Sequence, residues 1–200
     1  MRTDYEENEH KKSQQTLKTL VDERVKGATI SKGVMMVYTG NGKGKTTAAM
    51  GTVVRAIGHG KKAGVVQFIK GKWDNGEYNF LKAHNVDFFM MGTGFTWETQ
   101  DREKDIAAAN LVWEEARRML ADPTYDLVVM DEITYMTTYS YIPLYDIIAA
   151  LQNRPAHQSV ILTGRDCHEK LTILADTVTE MRAVKHGFDK GIKAQRGIDW

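Results

Sequence analysis

The residues with the clearest chemical potential lie in TGNGKGKTTAAM, positions 39–50. Gly44, Lys45 and Thr46 fill the last three places of the phosphate-loop pattern G-x-x-x-x-G-K-[ST]. Counting back, the first glycine's place falls on Thr39, and Gly40 comes one residue late. Glycines at 40, 42 and 44 let the backbone approach an anion closely, and consecutive N–H groups ahead of a helix N-terminus form an anion nest. Lys45 supplies a point charge to phosphates, and Thr46 a hydroxyl for Mg²⁺. Lys43, inside the loop, is a second candidate phosphate contact. The loop reads either as an ordinary triphosphatase site with a displaced glycine or as a triphosphate holder serving other chemistry.

A phosphate loop needs an acidic partner, and LVVMDE at 127–132 offers two acids at the end of an apolar run. Asp131 or Glu132 would bind Mg²⁺, directly or through water, as hard oxygen to hard cation. Their order in the sequence does not choose between them. Arg165, after VILTG, is placed to meet phosphates, the alternative being a surface pair with Asp166 or Glu169. Phe95 and Trp97 flank Thr96 in the glycine-bounded turn GTGFTWET. They either fold back on the core or form an apolar wall against a flat organic substrate. The neighbours Cys167 and His168 lack a second Cys–His pair at metal spacing and read as structural. No Ser–His–Asp set, paired cysteine or base for activating a hydroxyl acceptor is evident. A second substrate would therefore bring its own nucleophile.

These residues need elements to carry them. From Gly33 onward, short apolar runs alternate with helical stretches. The runs are GVMMVY, AGVVQFI, VDFFMM, YDLVVMDE, SVILTGR and TVTEMRAV. Helices are predicted after the glycine loop to about Gly60, near 78–85, from Asp101 to Ala121 ahead of Pro123, near 143–153 and near 168–176. Six almost wholly apolar strands separated by helices imply an α/β fold, a mainly parallel six-stranded sheet with helices on both faces. In such sheets ligands bind beyond the carboxyl ends of the strands, where every candidate residue above falls. Residues 1–30 differ. They are charged and poor in apolar anchors, with Leu17, Leu20, Val21 and Val25 near helical spacing, which suits an arm or short amphipathic helix needing a partner surface. Residues 31–200 make the nucleotide-binding domain.

Bulk composition narrows the class. Two hundred residues suit one domain of fair size, and 42% hydrophobic content is ordinary for a globular chain. Lys and Arg number 27 against 26 Asp and Glu, which gives no electrostatic case for a nucleic-acid or membrane binder. The single cysteine excludes an internal disulfide and fits a reducing compartment. No apolar run approaches a membrane span, and MRTDYEENEHKK has no signal-peptide core, so cytoplasm is the expected location.

Taken together, TGNGKGKTTAA, AGVVQFIKGKW, NGE, GTGFTWETQ, DEITYM, TGRDCH and VKHGFDKGIKAQRGID resemble the P-loop corrinoid (cob(I)alamin) adenosyltransferases, from about residue 32 onward. GFTWET and KAQRGID are not general phosphate-loop features, so the likeness is to this family and not merely to the superfold. The resemblance implies a RecA-like six-stranded fold and a homodimer. It implies transfer of the 5′-deoxyadenosyl group of ATP to cobalt(I) of cobalamin or a corrinoid precursor, with release of triphosphate. ATP then lies reversed relative to ordinary P-loop triphosphatases, and the Thr39–Gly40 shift is the family's own form. Asn41, Gly42, Lys43, Gly44, Lys45, Thr46 and Thr47 match its ATP loop. Thr46 and Glu132 match its Mg²⁺ positions, Arg165 a triphosphate contact, and Phe95 and Trp97 the aromatic pair that displaces the lower ligand of cob(II)alamin. A flavoprotein-type reductant and an N-terminal arm folded over the corrinoid complete the implied picture. The competing readings are a RecA-like triphosphatase or small-molecule kinase and a nucleotide-binding switch without turnover.

Overall fold

The structure is a computed structural model, and residues 4–69, 75–91 and 101–199 are described, with side chains from residue 6. Six strands form one sheet: β1 (Met35–Thr39), β2 (Ala63–Gln67), β3 (Asp87–Met90), β4 (Leu127–Asp131), β5 (Ser159–Thr163) and β6 (Thr177–Glu180). Their order is β3-β2-β4-β5-β1-β6, and every pairing is parallel. The fold is the expected α/β, RecA-like one. Parallel strands need crossovers, and the helices supply them: α2 (Lys45–Gly58), α3 (Gly76–Ala83), α4 (Arg102–Ala121), α5 (Thr134–Thr138), α6 (Leu144–Gln152) and α7 (Glu169–Leu174), all after α1 (Asp4–Gly27).

Strand side chains alternate between two cores. Leu127 and Val129 of β4 join Ala49, Met50 and Val53 of α2 and Leu81 of α3. Val128 and Met130 join Trp113 and Met119 of α4, Ile147 of α6 and Leu171 of α7 on the other face. A strand buried on both sides must be apolar at every position, which is why the inner runs show no polar alternation. The edge strand β6 departs from this, being exposed along its length, and its sequence TVTE is correspondingly polar.

Helix ends follow local chemistry. Asp101 caps α4, its side chain accepting the Lys104 N–H, so the helix starts one residue after the predicted position and still ends ahead of Pro123. Asn75 caps α3 by accepting the Tyr78 N–H, which starts that helix earlier than its apolar pattern suggests. Residues 1–31 and 32–200 are two compact units. In the first, α1 is a continuous helix of 24 residues, longer than the short segment the apolar spacing suggests. It carries an i,i+3 pair between Glu9 and Lys12, and Leu17, Leu20, Val21 and Val25 are exposed.

Candidate functional site

The glycine loop links the end of β1 to the start of α2, and its shape is set by a segment far away in sequence. Met181, just after β6, donates its N–H to Thr39 O at 2.8 Å and accepts the Gly42 N–H at 2.6 Å. A Cβ on Gly40 would stand 2.5 Å from Met181 O, and one on Gly42 would stand 2.7 Å from the Met181 carbonyl. Gly40 also has φ +94°, in the left-handed region. The late glycine is thereby explained. Thr39 is still strand, paired with Glu180, and its hydroxyl accepts the Cys167 N–H at 3.3 Å. The chain must turn at 40, so that is where glycine is required.

Lys45 opens α2 and is almost wholly buried. Its ammonium donates to Gly40 O and Gly42 O, both at 2.8 Å. Burial lowers its pKa, as does the Arg165 guanidinium, while Glu132 and then Asp131 oppose that shift. Gly44 precedes Lys45 as the N-cap at φ 104°.

A polar cleft of about 220 Å³ opens at this loop. It is lined by the whole predicted loop set, Asn41, Gly42, Lys43, Gly44, Lys45, Thr46 and Thr47, together with Glu132 and Arg165. Of the two acids, Glu132 lines the cleft. Asp131 is fully buried, with one carboxylate oxygen taken by the Thr163 hydroxyl at 2.6 Å and the other by the Gln67 amide at 2.9 Å. Among the described residues no salt bridge joins Arg165 to Asp166 or Glu169. Phe95 and Trp97 lie outside the described residues. A larger cleft of about 610 Å³ lies between α4 and α6 and holds none of these groups.

The cleft also contains residues that sequence reasoning missed. Glu77 stands in the first turn of α3, and Tyr135 lies in α5, its ring stacked on Tyr139 at 5.7 Å. Burial raises the Tyr135 pKa, and Glu132 adds to the shift. His186, Ile198 and Asp199 come from the stretch after β6. All five sit within the quoted motifs NGE, DEITYM and VKHGFDKGIKAQRGID, which was the available signal, although no individual role was read from them. Cys167 is a free, partly buried thiol whose pKa burial pushes up to about 11, in keeping with a structural role.

Among the described residues no cluster of three or more His, Cys, Asp or Glu side chains is placed to hold a metal. The cleft instead offers the Thr46 hydroxyl and the Glu132 carboxylate, hard oxygen donors of the kind Mg²⁺ accepts when phosphate oxygens complete its shell. The residues present therefore fit a phosphate-bound Mg²⁺.

Comparison with known proteins gives the family. A family model described as ATP:corrinoid adenosyltransferase BtuR/CobO/CobP matches residues 31–200. The chain is 59% identical over 191 residues to corrinoid adenosyltransferase CobA of Salmonella typhimurium, covering 96% of this chain and 97% of that one. It is 58% identical to the Escherichia coli K12 corrinoid adenosyltransferase with the same coverage, and 47% identical over 193 residues to the Pseudomonas aeruginosa one, covering 96% and 95%. The flagellar accessory protein FlaH from Methanocaldococcus jannaschii is similar in fold alone, with TM-score 0.50 and 12% identity over 80% of this chain and 75% of that one. With a family model spanning the catalytic unit and relatives of this identity spanning nearly the whole sequence, the chain belongs to the ATP:corrinoid adenosyltransferase family.

Proposed function

We propose that this adenosyltransferase uses the glycine loop to hold the triphosphate of ATP as a leaving group, with no β–γ bond cut. The observation that carries this reading is the convergence of Lys45, Thr46, Glu132 and Arg165 on one cleft in a chain 59% identical to a corrinoid adenosyltransferase. The cobalt(I) electron pair of the corrinoid attacks C5′ of ATP. The C5′–O5′ bond breaks, its electrons leave with triphosphate, and the cobalt becomes formally cobalt(III). No proton transfer is needed, which suits a site built from charges and backbone donors. Catalysis then rests on holding the two substrates in line and stabilising the departing triphosphate.

Each loop residue has a part in that. The N–H groups of residues 43–47 at the α2 N-terminus face the phosphates, that of Gly42 being committed to the Met181 carbonyl. Lys45 gives up its contacts with the Gly40 and Gly42 carbonyls and turns its ammonium to the triphosphate, with Arg165 on the facing loop. Thr46 and Glu132 would hold Mg²⁺, which adds positive charge beside the leaving group.

Phe95 and Trp97 are assigned, on the resemblance, to displacing the lower ligand of cob(II)alamin, because four-coordinate cobalt is reduced more easily. In that role Trp97→Ala impairs the reaction from cob(II)alamin with a reductase far more than that from chemically reduced cob(I)alamin; equal losses would remove the role. The α1 arm is assigned as a corrinoid lid, its exposed Leu17, Leu20, Val21 and Val25 supplying apolar surface. Deleting residues 1–28 then weakens corrinoid binding and leaves the fold intact. A homodimer in the cytoplasm served by a flavoprotein-type reductant completes the proposal.

The deciding assay is anaerobic, with cob(I)alamin, ATP and Mg²⁺. Light-sensitive adenosylcobalamin with intact triphosphate is the expected result. Orthophosphate with an unchanged corrinoid spectrum would make the loop a triphosphatase or kinase site.

A further inference from the structure

Behind the cleft runs a buried chain of side-chain hydrogen bonds that crosses three strands. It starts at the backbone N–H of Tyr78, which donates to Asn75 Oδ1 at 3.2 Å. A backbone N–H can only donate, so the Asn75 amide is oriented, and its Nδ2 donates to Gln67 Oε1 at 3.0 Å. That orients Gln67, whose Nε2 donates to Asp131 Oδ2 at 2.9 Å. The other Asp131 oxygen accepts the Thr163 hydroxyl at 2.6 Å. Thr163 Oγ1 in turn accepts the N–H of Glu132 at 2.9 Å. Each direction follows from the one before it. Gln67, Asp131 and Thr163 are each 0% exposed and Asn75 is 4% exposed.

The chain ends on a backbone that needs holding. Glu132 has φ +60°, a left-handed conformation that costs a non-glycine residue energy and persists only where its surroundings impose it. Its N–H is held by a hydroxyl whose own proton is committed to Asp131. The same hydroxyl belongs to the last residue of β5, two positions before Arg165. The residue that holds the acid loop through its hydroxyl thus also leads, along the chain, into the arginine loop. At the far end of the chain, Asn75 caps the helix that carries Glu77 into the cleft.

We infer that Thr163 and Asp131 are positioning residues of the adenosyl-transfer site, orienting Glu132 toward Mg²⁺ and triphosphate, with Gln67 and Asn75 fixing the orientation of Asp131. Asp131 touches neither substrate nor metal in this assignment. It acts as an acceptor with both oxygens committed. The inference rests on the reading of the cleft as the Mg²⁺-triphosphate site.

The test is calorimetric binding of ATP with and without Mg²⁺ to Thr163→Val, Thr163→Ser and Asp131→Asn, alongside the thermal midpoint and adenosyl transfer from cob(I)alamin. Valine matches threonine in shape and lacks the hydroxyl; serine keeps the hydroxyl. In Thr163→Val the gain in ATP affinity on adding Mg²⁺ is expected to shrink by about tenfold, the size of one lost charge-linked hydrogen bond, with Mg²⁺-free ATP binding nearly unchanged. Thr163→Ser is expected to recover most of the gain. Asp131→Asn, which offers one acceptor where two are needed, should show the same selective loss and serves if Thr163→Val does not fold. A full Mg²⁺ gain in Thr163→Val or Asp131→Asn overturns the positioning role. So does an equal loss in the serine and valine variants, which would indicate packing alone. If the wild-type protein binds ATP with no gain from Mg²⁺, the reading of the cleft fails and this assignment falls with it.

Discussion

Lys43 Nζ lies 2.5 Å from Asp199 Oδ1, a pair that joins the phosphate loop to a residue 156 positions later. Both line the cleft. A carboxylate there occupies space and charge that a triphosphate would claim, so on the proposed reading ATP binding moves Lys43 from Asp199 to phosphate. Asp199→Asn removes the competing charge, and its ATP affinity should rise several-fold, read by calorimetry. Unchanged affinity would mean that Lys43 keeps its partner when ATP binds.

The same pair sets an expectation for pH. The Lys43 ammonium holds the Asp199 carboxyl below its ordinary value. A depressed carboxylate pKa means the contact is fully formed above the ordinary carboxylate range and is lost as pH falls through the depressed value. Hydrogen exchange at Gln195, whose N–H donates to Asp199 Oδ2 at 2.7 Å, should therefore show constant protection at neutral pH and lose it only in acid. A change near neutrality would point to another group.

Lys45→Met should lower adenosyl transfer by at least about 100-fold, roughly 3 kcal/mol of leaving-group stabilisation. It should also abolish the rise in thermal midpoint that ATP gives the wild-type protein. Because the folded pKa of Lys45 is lowered, the unfolded chain binds the extra proton just below the ordinary lysine range, and stability rises with pH through that window. The methionine variant should lack that rise; a melting series at alkaline pH reads it.

Gly42→Ala should lose ATP binding and about 1–3 kcal/mol of stability, since its Cβ must displace backbone at Met181. Denaturant unfolding measures the second effect. A fully stable variant would show that the segment after β6 can move away from the loop.

Cys167 should react slowly with iodoacetamide. Burial raises its pKa to about 11. At pH 8 roughly one thiol in a thousand is then the reactive thiolate. Rapid labelling of the folded protein would mean the loop after β5 opens often.

The sheet was legible in the sequence because burial on both faces leaves an unbroken apolar run, as in LVVM of β4, and the loop was legible because anion binding constrains a contiguous stretch. The choice between Asp131 and Glu132 was not legible from their order alone. It depends on Gln67 and Thr163, which lie 64 and 32 positions from Asp131 and whose polar atoms look unremarkable inside apolar runs. Met181 and the pairing of Asp199 with Lys43 were hidden for the same reason, as contacts that only the folded sheet brings to the loop. The length of α1 was missed because its apolar spacing is short, whereas the helix runs on through charged turns with few apolar positions.

The strand order also determines when the site can exist during synthesis. β1, the first strand made, lies between β5 and β6, the last two. Until the chain has been made past residue 181, the glycine loop lacks the carbonyl that accepts the Gly42 N–H and the N–H that donates to the Thr39 carbonyl. A nascent chain can therefore form its helices and inner strands early, but its triphosphate cleft is completed only near the end of translation.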